Sequence, residues 1–97
     1  MTHRIFSNRR IQEVVDFEQD GYQYRIAVSR FGDGSPAEVH IDSARAGSIL
    51  DTHGRDIAAL ITLLLQSGVD VLQIEQSLDR NLSGLAARVA RLIRGAA

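Results

Sequence analysis

The sequence predicts an α+β fold: a small three-stranded antiparallel sheet followed by about three helices packed on one face of the sheet. In the first half of the chain, apolar residues alternate with a period of two, which is typical of strands with one buried face. In the second half they recur with the period of 3.6 that indicates amphipathic helices. The chain has 97 residues, of which 44% are hydrophobic, enough for one domain with a modest core.

Three strands are predicted before residue 43. Residues 14–18 are a short β-prone run, and the turn signal Asp20-Gly21 joins them to the alternating segment 22–31, so the two segments form a β-hairpin. The turn-rich residues 32–36 then lead to a third strand at residues 38–42. The three strands would form an antiparallel sheet with one face covered and one face in water.

The clearest predicted helix covers residues 56–66, after a polar connection at residues 43–54. Its apolar residues leave little polar surface, so we expect this helix to be buried on most sides. Ser48, Asp51 and Thr52 are all suitable N-caps, and the sequence does not choose among them.

Two shorter helices follow the first one. Gly68 is expected to end the first helix as its left-handed C-terminal residue. A second helix is predicted at residues 70–78, and Ser83 is predicted to cap a third helix at residues 84–94.

The charge is distributed unevenly, although its net value is only -1. Residues 1–12 are predicted to be a basic tail or arm ahead of a domain at residues 13–97. This tail holds three arginines and no acid, and residues 80–97 hold four arginines and no acid. Basic ends on an acidic body can contact an anion or nucleic acid, fold back onto the body, or pair with another copy. The arginines of the second group would form a ridge; they are Arg80, Arg88, Arg91 and Arg94.

The residue types needed for several kinds of chemistry are missing. The chain has no cysteine, which excludes disulfides, thiolate metal sites and cysteine nucleophiles. The three histidines, His3, His40 and His53, lack metal-ligand spacing, and no serine lies in a nucleophile motif. We therefore expect no catalytic residue, no metal and no cofactor.

No apolar stretch approaches the ~20 residues of a membrane span, and no secretory signal is visible, so a cytoplasmic protein without a membrane partner is expected.

A series of short segments within residues 13–93 matches a known domain in order. The best marker pairs D-G-x-x-x-E-V at residues 33–39 with L-L-Q-S-G-V at residues 64–69. The other matching segments are F-E at 17–18, G-Y-Q-Y at 21–24, V-S-R-F-G at 28–32, G-S at 47–48, D-I-A at 56–58 and S-G-L-A-A at 83–87. In this order the chain resembles the TSCPD domain, found at the C-terminus of adenosylcobalamin-dependent (class II) ribonucleotide reductases and in small stand-alone bacterial proteins.

The resemblance implies an accessory module rather than a reductase, because reductase catalysis uses cysteines and this chain has none. The chain also has Asp70 and Gly84 where the family commonly has proline. The predicted function is a non-catalytic accessory or regulatory module that binds a protein or a nucleotide, with a class II ribonucleotide reductase among the expected partners. Free backbone N–H groups near the turn and the start of the first helix predict an anion or partner site. Its residues are Asp33, Gly34, Glu38, Gly47 and Ser48.

Two alternative functions are also compatible with the sequence. One is nucleic-acid or phosphate binding through the arginine ridge. The other is a small interaction or inhibitor protein that acts through the acidic sheet face formed by Glu38, His40 and Asp42. A protein of this kind could be encoded by a phage. An apolar patch on so small a core is, in addition, compatible with a homodimer.

Overall fold

The chain folds as three strands followed by three helices, which confirms the predicted α+β class. The structure is a computed structural model and describes residues 11–45 and 47–95. The elements are β1 (Ile11–Gln19), β2 (Tyr22–Arg30), β3 (Pro36–Ser43), α1 (Ile49–Gln66), α2 (Val71–Ser77), a 3₁₀ turn (Asp79–Asn81) and α3 (Leu85–Arg94). None of the helices in these ranges combines the length and the apolar character needed to span a membrane.

The sheet has the order β1-β2-β3, and both strand pairs are antiparallel. Asp20 and Gly21 form the tight turn between β1 and β2 with φ of 54° and 82°, a backbone region that aspartate and glycine adopt more readily than other residues. Phe17 lies opposite Tyr24, and their rings stack with centroids 5.5 Å apart. These rings and the alternating apolar residues of β2 and β3 form the covered face of the sheet.

The helices cover this face and complete the core. Helix α1 packs along β3, and Gly54 allows the close approach, because a Cβ atom there would lie 3.0 Å from Cγ2 of Ile41. Helix α3 buries Val89, Ala90 and Ile93. The guanidinium of Arg30 donates to the carbonyl of Ile93 at 2.8 Å and thereby ties the last turn of α3 to β2.

Three predicted boundaries are wrong by a few residues. Strand β1 begins at Ile11, inside the segment predicted as a tail or arm at residues 1–12, and the rest of that segment lies outside the described residues. Helix α1 begins at Ile49 rather than at residue 56, with Ser48 as the N-cap whose side chain accepts from the amide of Asp51. The N-cap of α3 is Gly84, one residue after the predicted Ser83.

Candidate functional site

The residues of the predicted anion site do not come together. Asp33 and Gly34 lie in the turn that precedes β3, whereas Gly47 and Ser48 lie after its last residue. A strand of eight residues that rises ~3.3 Å per residue separates the two groups by roughly 23 Å. A single small anion cannot contact both groups, and a partner surface that includes both stays a prediction.

The carboxylate of Asp51 occupies the anion position next to Gly47. Its Oδ1 accepts from the amide of Ser43, and its Oδ2 accepts from the amide of Gly47, both at 3.1 Å. The side chain is buried and also lies 3.3 Å from the Nε of Arg55. The backbone N–H donors of Ser43 and Gly47 hold the pKa of Asp51 below its usual value, and Arg55 adds to this effect. The chain therefore supplies its own anion here.

The other predicted site residues have local roles. The Oδ1 of Asp33 accepts from the amide of Ser35 at 2.9 Å and from its hydroxyl at 2.6 Å, a side-chain turn that shapes the connection between β2 and β3. Gly34 donates its amide to the carbonyl of Phe31 in the same turn. Glu38 lies farther along, on β3, where its Oε1 is 2.8 Å from the Nε2 of His40.

Two arginines of the predicted ridge bind groups of their own chain. The guanidinium of Arg94 donates through two nitrogens to the carboxylate of Glu75 on α2, with Nη2 at 3.1 Å. Arg91 donates to the carbonyl of Leu82 at 3.1 Å. Both contacts join α3 to the segment that precedes it.

The other two ridge residues differ in their environment. The guanidinium of Arg88 lies 5.5 Å from the centre of the Phe17 ring, in the geometry of a cation–π interaction between α3 and β1. Arg80 lies in the 3₁₀ turn and is exposed, and among the described residues it has no hydrogen-bond or ion-pair partner. The ridge therefore offers one unengaged guanidinium rather than a row of four.

The acidic sheet face predicted from Glu38, His40 and Asp42 exists on the uncovered side of the sheet. Arg25 lies directly opposite both Asp16 and Asp42 on this face. It binds Asp16 at 2.7 and 3.2 Å, and this contact lowers the pKa of the Asp16 carboxyl. The face is therefore less acidic than its carboxylates alone suggest.

Side chains of α1 occupy part of the outer edge of β3. The hydroxyl of Thr62 accepts from the amide of Val39 at 3.0 Å and donates to the carbonyl of the same residue at 3.2 Å. The amide of Ser43 is engaged by Asp51, as described above. An extended peptide would therefore have to displace Thr62 from the backbone of Val39 to pair along the whole of this edge. At the other edge of the sheet, no described segment pairs with the outer side of β1.

The outer surface of α1 carries exposed apolar side chains beside polar ones, contrary to the expectation that this helix is buried on most sides. Ile49, Leu60 and Leu63 are 71%, 62% and 58% exposed, the highest values among the large apolar side chains that the structure describes. Leu64 is 40% exposed. Contiguous apolar surface of this kind marks interaction sites in soluble proteins.

Beside this surface, an apolar groove of about 360 Å³ runs between α1 and α2. We call it the α1–α2 groove. Its apolar lining consists of Ile57, Leu60, Ile61, Leu64, Val69, Ile74, Leu78 and Ala86. Gln73 and Ser77 are its polar lining residues, and no charged side chain lines it. The groove can therefore hold apolar side chains but offers no group for acid–base chemistry.

The described residues contain no cluster of three or more histidine, aspartate or glutamate side chains that could bind a metal ion. Comparison with protein-family models, curated proteins and solved structures finds no match for the chain. The resemblance to the TSCPD domain therefore stays a prediction that rests on the short segments quoted above.

Proposed function

We propose that this chain is a non-catalytic, cytoplasmic accessory module that binds a helical segment of a protein partner in the α1–α2 groove. The observation that carries the proposal is the exposed apolar lining of that groove. Leu60 and Leu64 keep 62% and 40% of their surface in water, and complete burial of a fully exposed leucine contributes ~1.5–3 kcal/mol, so about half of that remains to be gained at each. A partner that covers them recovers part of this free energy.

The lining of the groove favours an amphipathic helix over other ligands. A helix in a groove presents apolar side chains at positions i, i+3, i+4 and i+7, which need an uncharged apolar surface. The α1–α2 groove provides such a surface, with Gln73 and Ser77 available for hydrogen bonds. The alternative, addition of a peptide strand at β3, is disfavoured because Thr62 already binds the amide and carbonyl of Val39.

The resemblance to the TSCPD domain suggests the class of partner. We propose the catalytic chain of an adenosylcobalamin-dependent ribonucleotide reductase, with this module as a separate accessory chain. Because a module of this kind has no catalytic group, the isolated chain is expected to show no reductase turnover.

The test is a calorimetric titration of the full chain with a purified class II reductase catalytic chain from the same host. We expect saturable binding that weakens at least ~10-fold in Leu64→Glu, because the variant places a charge in the apolar groove. The matched control is Leu72→Glu, since Leu72 is 45% exposed on α2 but does not line the groove. Absence of binding by the unmodified chain contradicts the reductase partner, and equal weakening by both variants contradicts the groove.

Nucleic-acid binding through the arginine ridge receives less support from the geometry. Arg91 and Arg94 would have to leave the carbonyl and carboxylate that they bind. A mobility-shift titration at low salt tests this alternative directly. A strongly salt-dependent shift, reduced by Arg80→Ala, would favour it over the proposed module.

A further inference from the structure

Five exposed residues of α1 succeed one another at alternating intervals of four and three positions. They are Ile49, His53, Asp56, Leu60 and Leu63, and we call them the outer seam of α1. This spacing is that of the a and d positions through which helices pair in coiled coils. The seam includes the three most exposed large apolar side chains that the structure describes.

We propose that two copies of the chain pair through the outer seams of their α1 helices as an antiparallel, two-fold symmetric dimer. A two-fold interface must be complementary to itself, so that each residue has a suitable counterpart in the second copy. Four of the five seam residues satisfy this condition in one register, while Leu63 lies beyond the paired residues. When Ile49 lies opposite Leu60 of the second copy, His53 lies opposite Asp56 of the second copy, and each contact occurs twice.

The polar pair selects this register over its neighbours. A shift by one heptad would place His53 against Leu63 and Asp56 against Leu60, which would bury polar groups without partners. A shift by two heptads would pair only Leu60 with Leu63, so that two seam residues rather than four contact the second copy and Ile49, the most exposed of them, stays in water. His53 and Asp56 form no ion pair or hydrogen bond with any other residue that the structure describes, so both are available to the second copy.

The proposed binding partner of the outer seam is a second copy of the chain, and this dimer interface differs from the α1–α2 groove. Of the five seam residues, only Leu60 also lines the groove. The dimer therefore does not depend on the partner proposed above, and either proposal can fail without the other. Because the seam is one helix wide, its area falls below that of standard interfaces, and we expect a dissociation constant on the order of 10–100 μM.

Sedimentation velocity of the full chain over about 5–500 μM measures the association. We expect a concentration-dependent dimer that weakens at least ~10-fold in Ile49→Glu. Glutamate is favourable in the first turn of a helix, so this variant should fold. Leu72→Glu, which changes an exposed residue of α2 outside the seam, should leave the association unchanged. A wild-type chain that stays monomeric over the whole range, or an Ile49→Glu chain that dimerises normally, would overturn the proposal.

A charge exchange tests the register itself. His53→Asp places a carboxylate opposite Asp56 of the second copy and should weaken the dimer at least ~10-fold. The double variant His53→Asp/Asp56→Arg restores opposite charges across the interface and should recover the association. If the single variant has no effect, or the double variant does not recover, the antiparallel register is wrong and the proposal fails. Far-UV circular dichroism verifies that each variant is folded.

Discussion

Replacement of Thr62 by valine should destabilise the protein, although the two side chains have nearly the same shape. The Thr62 hydroxyl is the partner of both the amide and the carbonyl of Val39, at 3.0 and 3.2 Å. Val39 is 2% exposed, so water cannot readily replace the lost hydroxyl. The variant thus removes two hydrogen bonds and leaves two buried backbone groups without partners.

The expected magnitude follows from these two bonds. Each contributes ~0.5–1.5 kcal/mol net, which gives a loss of about 1–3 kcal/mol in the free energy of unfolding. A domain of this size has a total stability of about 5–15 kcal/mol. A loss of 2 kcal/mol should lower the melting temperature by about 8–16 °C.

Urea unfolding followed by circular dichroism measures the loss, and hydrogen exchange of the Val39 amide locates it. Thr62→Ser keeps the hydroxyl and should retain most of the stability. Thr52→Val is the matched control, because the Thr52 hydroxyl is exposed and donates over 3.3 Å to the carbonyl of Ser48. If Thr62→Val is as stable as Thr62→Ser and keeps the Val39 amide protected, the edge contact does not stabilise the fold.

Three further substitutions test other contacts. The Asp51 carboxyl has a lowered pKa in the folded state, so the unfolded state takes up protons first as the pH falls. The free energy of unfolding of the wild type should therefore decline from about pH 5 through that pKa. Asp51→Asn should flatten this pH dependence, which urea unfolding at several pH values measures. Gly54→Val should cost about 1–3 kcal/mol in thermal unfolding, because a Cβ atom there already lies 3.0 Å from Ile41; an unchanged melting temperature would contradict the close packing. Arg30→Met removes the donor to the Ile93 carbonyl and should cost about 2 kcal/mol, with faster hydrogen exchange in α3 than in α1; equal exchange in both helices would count against this tie.

The sequence predicted the strands and the helix order because both depend on periodic apolar residues. The hairpin turn at Asp20-Gly21 was equally visible, since few residue types tolerate a positive φ. The start of α1 was left open among Ser48, Asp51 and Thr52, because its first turn is stabilised by contacts and not by apolar spacing. Ser48 caps that turn, while Asp51 binds the amides of Ser43 and Gly47.

Most of the site could not be predicted, because its contacts join distant parts of the chain. Arg94 lies 19 positions from Glu75, and no local pattern links the two. Asp51 was considered only as an N-cap, although an acid just after Gly47-Ser48 could have suggested an internal anion. The outer leucines of α1 were expected to be buried. An apolar pattern indicates that a helix face can be buried, but it does not show whether the residues that bury it belong to the same chain.

The partly occupied edge of β3 limits how the sheet can grow. A sheet with two free edges can add copy after copy and extend into a fibre. Here Thr62 and Asp51 of α1 hold backbone groups of Val39 and Ser43 at the β3 edge, so a strand from a second copy is added more readily at the outer edge of β1. Concentrated protein that joins through its strands should therefore form finite pairs of sheets rather than open-ended fibrils.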